Sequence, residues 1–303
     1  MRTTDNLGGI TAFVTTAQLG SFTAAAERLG LTKSAVGKSV SRLEIRLGLK
    51  LFHRSTRRLS LTPDGETFLS RCQQAIDILE QAEVELTSHV VQPAGRLRVD
   101  LPSAFGRQRI LPILLPIVRQ FPALTLTVTF SERFVDLIEE GIDLVVRIGE
   151  LADSSGLVAR RLTTQKLVIC AAPAYLQRNA GPKIPDEISE HQCVVGLRRH
   201  QPVSWLFKET NGPTVRVTPP ATYEFADGDA MLAATLAGCG LSQLPRWLVG
   251  EHLQRGELVE VLADYAGGEM PISAVWPKAR QPLPKIRYVV DTLIRAAEEG
   301  QLD

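Results

Sequence analysis

The sequence predicts a small, mostly helical module with a two-stranded wing, followed by a larger α/β unit built of two lobes. Three observations predict it. Two short helix signals with complete caps follow one another between Ser21 and Gly48. Strand-like and helix-like segments alternate from Leu97 to Glu298. The charge is sorted along the chain, although all 303 residues sum to only +1.

The module begins with a helix over Leu7 to Gln18, which places Ile10, Phe13, Val14 and Ala17 on one side. Ser21 is a good N-cap, the run from Phe22 to Leu29 is rich in alanine, and Gly30 stands where such a helix stops. Thr32 caps a second helix, in which Val36, Val40, Leu43 and Leu47 recur on one narrow stripe that must face a core. Ser34, Gly37, Lys38 and Ser41 lie opposite, small or cationic side chains that leave room for a large partner. After Gly48, two short apolar segments between Leu49 and Leu61 flank the polar turn from His53 to Arg58 and read as a wing. An isolated turn of this kind is ordinarily a solvated loop. Beside a capped helix pair it reads as a contact surface.

From Met1 to Thr62 ten bases face three acids, a net of +7, which suits a polyanion. Three short helices sharing one core make a helix-turn-helix, whose second helix enters the major groove of double-stranded DNA. The candidate DNA contacts are Ser21, Thr23, Thr32, Lys33, Ser34, Gly37, Lys38, Arg42, Arg54, Arg57 and Arg58. Paired modules of this kind grip an inverted-repeat operator, so a homodimer is expected. Thr62-Pro63-Asp64 then starts a long helix with no breaker before Gln92-Pro93. Its stripe of Leu69, Cys72, Ile76, Leu79, Ala82 and Leu86 exceeds what one thin helix can bury, and calls for a second helix against it.

Beyond Gly95 the segments Leu97–Leu101, Ile110–Gln120, Leu124–Phe130, Phe134–Glu140 and Leu144–Ile148 read as β, α, β, α, β in a parallel sheet with helices on its faces. A second set follows from Leu167 to Leu262, then a strand over Ile272–Trp276 and a helix over Leu283–Glu298. The interrupted first half implies two lobes joined by two crossing strands. The expected divisions are 1–62, 63–91 and 92–303, with one lobe from 92–162 and 268–303 and the other from 163–267. Ligands in such sheets bind beyond the carboxyl ends of strands. That rule nominates Ser103, Ala104, Phe105, Ser131, Arg147, Gly149, Asp227 and Gly228, with Trp205 as a wall or a core filler. Ser103 and Arg147 suit a carboxylate, so the expected ligand is a small anionic organic molecule; their structural alternatives are a helix cap and an ion pair.

The sequence holds no GxSxG, HExxH, phosphate loop or GxGxxG, and Gly238-x-Gly240 ends a helix. His53, His89, His191, His200 and His252 show no metal spacing, so no catalytic residue, metal or cofactor is expected. Cys72, Cys170, Cys193 and Cys239 form no CxxC pair and read as reduced thiols. The N-terminus lacks a signal-peptide pattern, and the longest apolar stretch, Ile110–Val118, is short and broken by prolines, so a cytoplasmic location without a membrane partner is expected.

Gly20-Ser21-Phe22, Ala25-Ala26, Ser34-Ala35-Val36, Leu43-Glu44, Gly48, Leu51-Phe52, Arg54 and Leu61-Thr62 together resemble the DNA-binding module of LysR-type transcriptional regulators. One departure is Gly37, where the family usually carries a serine or threonine. Asp143-Leu144 with Arg147 and Gly149, and Ala237-Gly238 with Gly240-Leu241 and Leu244-Pro245, resemble more loosely that family's effector domain, a two-lobed fold like periplasmic solute-binding proteins. The resemblance implies a regulator controlled by a small effector, a long helix pairing antiparallel in a dimer, and dimers assembling into tetramers or larger. RNA polymerase is a further expected partner. The alternatives are ligand-independent or thiol-based regulation through Cys193 or Cys239 and, further off, a small-molecule-binding protein without DNA function.

Overall fold

The computed structural model describes residues 4–54, 59–87, 92–133, 135–151, 155–198, 201–208, 214–266, 268–278 and 283–303. Two compact units divide the chain, Met1–Val91 and Gln92–Asp303.

The first unit opens with helices α1 (Thr4–Leu19), α2 (Phe22–Leu29) and α3 (Lys33–Leu47). Ser21 Oγ accepts from Ala24 N at 3.4 Å and Thr32 Oγ1 from Ala35 N at 3.2 Å, so both anticipated N-caps are made. Gly30 and Gly48 close these helices at φ +63° and +70°, a left-handed conformation that glycine adopts without strain. Val36, Val40 and Leu43 are buried with Phe13, Leu51 and Phe52, and the Phe13 ring sits between those of Phe52 and Phe68, 5.3 and 5.5 Å away.

Strands β1 (Phe52–Arg54) and β2 (Leu59–Leu61) pair antiparallel, Phe52 opposite Leu61 and Arg54 opposite Leu59. Arg57 and Arg58 of the expected wing tip, and the side chain of Arg54, lie outside the described residues. Helix α4 (Pro63–Thr87) follows, its first turn capped by Thr62 Oγ1, which accepts from Gly65 N at 2.9 Å and donates to Lys50 O. Gly65 is required by packing, since a Cβ there would lie 2.1 Å from Leu51 O. The apolar stripe of α4 divides: Leu69, Cys72 and Ile76 pack into their own unit, whereas Leu79 is 51% exposed. The side chains of Ala82 and Leu86 lie outside the described residues.

The second unit runs β3 (Gly95–Leu101), α5 (Ser103–Phe105), a π-helical turn (Gly106–Ile110), α6 (Leu111–Gln120), β4 (Leu124–Phe130) and β5 (Leu144–Ile148). The long β6 (Leu157–Ala171) leads to α7 (Pro173–Leu176), a 3-10 turn (Pro185–Glu190), β7 (Cys193–Arg198), β8 (Gln201–Pro202), β9 (Trp205–Lys208), β10 (Thr214–Val217) and β11 (Ala221–Phe225). Then come α8 (Gly228–Leu236), β12 (Leu241–Pro245), α9 (Arg246–Gln254), β13 (Val259–Val261), β14 (Glu269–Pro277) and α10 (Pro284–Glu298).

Strand β6 belongs to both lobes: its first part pairs with β14 and its second with β12 and β13. The sheet order is β11-β7-β12-β6-β14-β5-β3-β4. Within a lobe β3 runs parallel to β4 and β5, and β7 to β11 and β12, as expected. The crossing strands run antiparallel to their neighbours, so each lobe is mixed rather than wholly parallel. In the first lobe α6 and α10 bury Leu114, Ile117, Ile286, Val289 and Leu293 against Leu97, Val99 and Leu144.

The helix anticipated over Phe134–Glu140 is absent among the described residues. Phe134 lies outside them, and Asp136–Gly141 makes one turn, with Glu140 N donating to Asp136 O at 2.9 Å. Asp136 Oδ1 accepts from Ile138 N and Glu139 N, a good cap, but Gly141 at φ +68° ends the helix almost at once. No described helix is long and apolar enough to cross a membrane.

Candidate functional site

The first unit presents one face of α3. With Val36, Val40 and Leu43 buried, Ser34 and Lys38 are exposed on the other side. A surface depression gathers Thr32, Lys33, Ser34 and Gly37 beside the Phe22 ring, four of the residues nominated from sequence. Thr32 and Ser34 link hydroxyls at 3.1 Å. A Cβ at Gly37 would meet nothing within 4 Å, so the fold does not demand glycine there; its effect is to leave the helix surface flat.

Thr23 is exposed on α2, whereas Ser21 spends its hydroxyl on capping. Arg42 stands apart, lining a different depression with Gly8, Gly9, Leu31, Ser39 and Arg46. Two residues escaped the sequence reading. Ile45, 77% exposed, extends the Ser34, Lys38 and Ser41 stripe at helical spacing, a periodicity that was visible. Glu44 is buried and orients the wing: Oε1 accepts from Leu51 N at 3.0 Å and from Phe52 N at 3.4 Å. No local pattern announces that role.

The second unit encloses a cleft of about 240 Å³ between its lobes. Ala104, Phe105, Trp205 and Gly228 line it, as anticipated. Ser103, Ser131, Arg147, Gly149 and Asp227 are not among its lining residues. Arg147 pairs through Nη1 with Asp100 at 3.0 Å, and Ser131 Oγ and Thr129 Oγ1 donate to the same buried carboxylate at 3.0 and 2.7 Å. Ser103 N donates to Glu132 Oε1 at 2.8 Å. Gly149 adopts φ +100° and donates its N–H to Pro271 O, a backbone requirement. Asp227 caps α8 by accepting from Ala230 N at 2.9 Å. Of the two residues expected to hold a carboxylate ligand, Ser103 thus commits its amide to Glu132 and Arg147 its Nη1 to Asp100, while Arg147 Nη2 is buried without a hydrogen-bond partner.

The lobes are clasped by the π-helical turn, an element that recurs at functional sites. Arg107 reaches Asp229 at 2.5 Å and Asp227 at 3.3 Å, while Gln108 Nε2 donates to Asp229 at 2.9 Å. The Arg107 pKa is raised above its usual value, first by the hydrogen bond to Asp229. The Arg109 guanidinium lies 5.7 Å from the Trp247 ring, and Phe105 meets that ring edge-on at 5.4 Å.

No cluster of residues suited to a metal occurs among the described residues. Burial pushes the Cys72 thiol to about 11 and those of Cys170 and Cys193 to about 12. A thiol with that last value is about 1 part in 10⁵ thiolate at pH 7, and only the thiolate is a strong nucleophile. Cys239 alone is partly exposed. Native protein treated with an aromatic disulfide reagent should therefore release at most one fast equivalent, abolished in Cys239→Ser. Rapid labelling of Cys193 would contradict this.

Two family models match the chain: "Bacterial regulatory helix-turn-helix protein, lysR family" over residues 7–66 and "LysR substrate binding domain" over residues 91–298. The HTH-type transcriptional regulator CrgA of Neisseria meningitidis is 32% identical over 94% of this chain and 95% of its own. The regulator DmlR of Escherichia coli is 33% identical over 95% and 93%. The solved structure of CrgA from Neisseria meningitidis, a LysR-type transcriptional regulator, superposes with a TM-score of 0.59 at 30% identity, covering 95% of this chain and 98% of that one. With its helix-turn-helix module and its two-lobed effector-binding unit, this chain belongs to the LysR family of transcriptional regulators.

Proposed function

We propose that this chain is a non-catalytic, cytoplasmic regulator that binds an inverted-repeat operator as a homodimer or larger assembly. The N-terminal end of α3 supplies base contacts through Thr32, Lys33, Ser34 and Lys38, and the wing arginines Arg54, Arg57 and Arg58 supply phosphate contacts. The observation that supports this most is the exposed Thr32–Lys38 edge on a module carrying a net of +7. RNA polymerase is the partner through which bound protein changes transcription. A small organic effector in the cleft acts by preferring one closure of the two lobes, which remakes the clasp of Arg107 with Asp227 and Asp229.

The test is selection of binding sites from a random duplex library, followed by affinity measurements on the selected site across a salt series. A two-fold symmetric site is expected. Arg57→Ala should weaken binding and flatten the log–log salt slope by about one unit, since each neutralised phosphate contributes about 0.9, whereas Lys38→Ala should weaken binding to the selected site and relax its sequence preference. An unchanged affinity at moderate salt in both Lys38→Ala and Arg57→Ala would overturn the assignment of this face.

A further inference from the structure

The charge of the cleft indicates what kind of molecule fills it. Three carboxylates line the cavity, Glu132, Glu150 and Glu269, against one guanidinium among the described residues, Arg216. Two backbone amides that would ordinarily receive an anion are already taken by the chain's own carboxylates. Glu132 occupies the Ser103 amide and Asp227 the Ala230 amide at the start of α8. Of the nearby cations, Arg147 pairs with Asp100 through Nη1, its Nη2 being buried without a hydrogen-bond partner, and Arg107 pairs with Asp227 and Asp229. An entering anion would have to lie against Glu150 and Glu269, two carboxylates of its own sign, with Arg216 as the one described lining guanidinium to offset them, which is unfavourable.

Glu150 and Glu269 are exposed at the cavity and have no ion-pair or hydrogen-bond partner among the described residues. The walls between them and the other lobe are Phe105, Trp205 and Trp247, with Met231 and Met270. Indole faces attract cations, and Trp247 already holds the Arg109 guanidinium over its ring. We infer that the cleft selects a small organic cation, an ammonium or amidinium group carried on an apolar or aromatic body. This inference rests on the reading of the cleft as the effector site and adds the chemical class of the effector. Glu150 and Glu269 pair with the cationic group, the aromatic walls take the apolar body, and Glu132 acts as a resident anion that excludes carboxylates.

The experiment uses the full chain and three probes that share one skeleton: 2-phenylethylammonium, 2-phenylethanol and phenylacetate. Kd for each is measured by calorimetry at neutral pH and moderate salt, in the wild type, in Glu150→Gln/Glu269→Gln and in Glu132→Ala. The ammonium should bind most tightly, with a Kd about tenfold or more below that of phenylacetate, a difference of about 1.4 kcal/mol. The double variant should erase most of that preference. Glu132→Ala, which frees the Ser103 amide, should lower the Kd of phenylacetate several-fold. Phenylacetate binding as tightly as the ammonium, the alcohol matching the ammonium, or none of the three binding at millimolar concentration would each overturn the inference. Binding of the variants to the selected operator without ligand shows that they are folded. Failure of the wild type on operator DNA would count instead against the regulator reading.

Discussion

Arg147→Ala is expected to lower the stability of the two-lobed unit by about 3 kcal/mol while leaving the ligand preference of the cleft intact. Arg147 is the cation facing Asp100, whose side chain is 2% exposed, and removing one partner of a buried ion pair leaves the other charge without compensation. Losses of this kind run to about 3–5 kcal/mol, and the lower end applies because Thr129 and Ser131 keep donating hydroxyls to Asp100. Urea unfolding followed by tryptophan fluorescence measures the change. Pairing Arg147→Met with Asp100→Asn should recover much of it, since the double change removes both charges together. A variant that lost ligand binding with no loss of stability would return Arg147 to the effector site.

Lys285→Ala should cost more, about 4 kcal/mol, for a related reason. Lys285 lies in the first turn of α10, where the helix dipole disfavours a cation. Its side chain is nonetheless 2% exposed and faces Asp143, 3% exposed, with Nζ 3.2 Å from Oδ2. The ammonium also donates to Arg96 O, and Asp143 Oδ2 accepts from Arg98 N at 2.8 Å. One pair therefore ties α10 to β3 and to the segment entering β5. Lys285→Ala leaves a carboxylate buried at that junction, whereas Lys285→Met with Asp143→Asn should restore most of the stability. A loss below about 1 kcal/mol for Lys285→Ala would mean that the pair is solvated enough to behave as a surface bridge.

Both pairs show why the effector site was harder to read than the DNA-binding face. Asp143 and Arg147 lie in one short stretch, Asp143 entering β5 and Arg147 near its carboxyl end, and the latter placement favours a ligand contact in an open sheet. The structure spends both on buried ion pairs, Arg147 with a residue 47 positions earlier and Asp143 with one 142 positions later. Gly149 and Asp227 likewise serve a backbone conformation and a helix cap. Of the nominated cleft residues, Ala104, Phe105, Trp205 and Gly228 line the cavity. The carboxylates Glu132, Glu150 and Glu269, which line it, come from three separated segments and form no motif.

The module at the N-terminus was legible because its signals are local. Ser21, Gly30, Thr32 and Gly48 cap helices through atoms three or four residues away, and the Val36, Val40, Leu43 stripe is a property of one helix. Charge sorting within the first 62 residues is likewise readable without coordinates. Where a local signal met an opposing one, as at Asp136 and Gly141, the stop came too soon for a helix to form. By itself, then, the sequence determined the helix-turn-helix, its exposed edge, the long helix and the alternating two-lobed unit, since contiguous residues set caps, periodicity and segment charge. Tertiary structure alone decided the mixed sheet, the clasp between the lobes, and which polar side chains face the cleft. The partner of a side chain depends on strands and helices assembled from distant parts of the chain, and burial favours whichever partner leaves no charge unpaired.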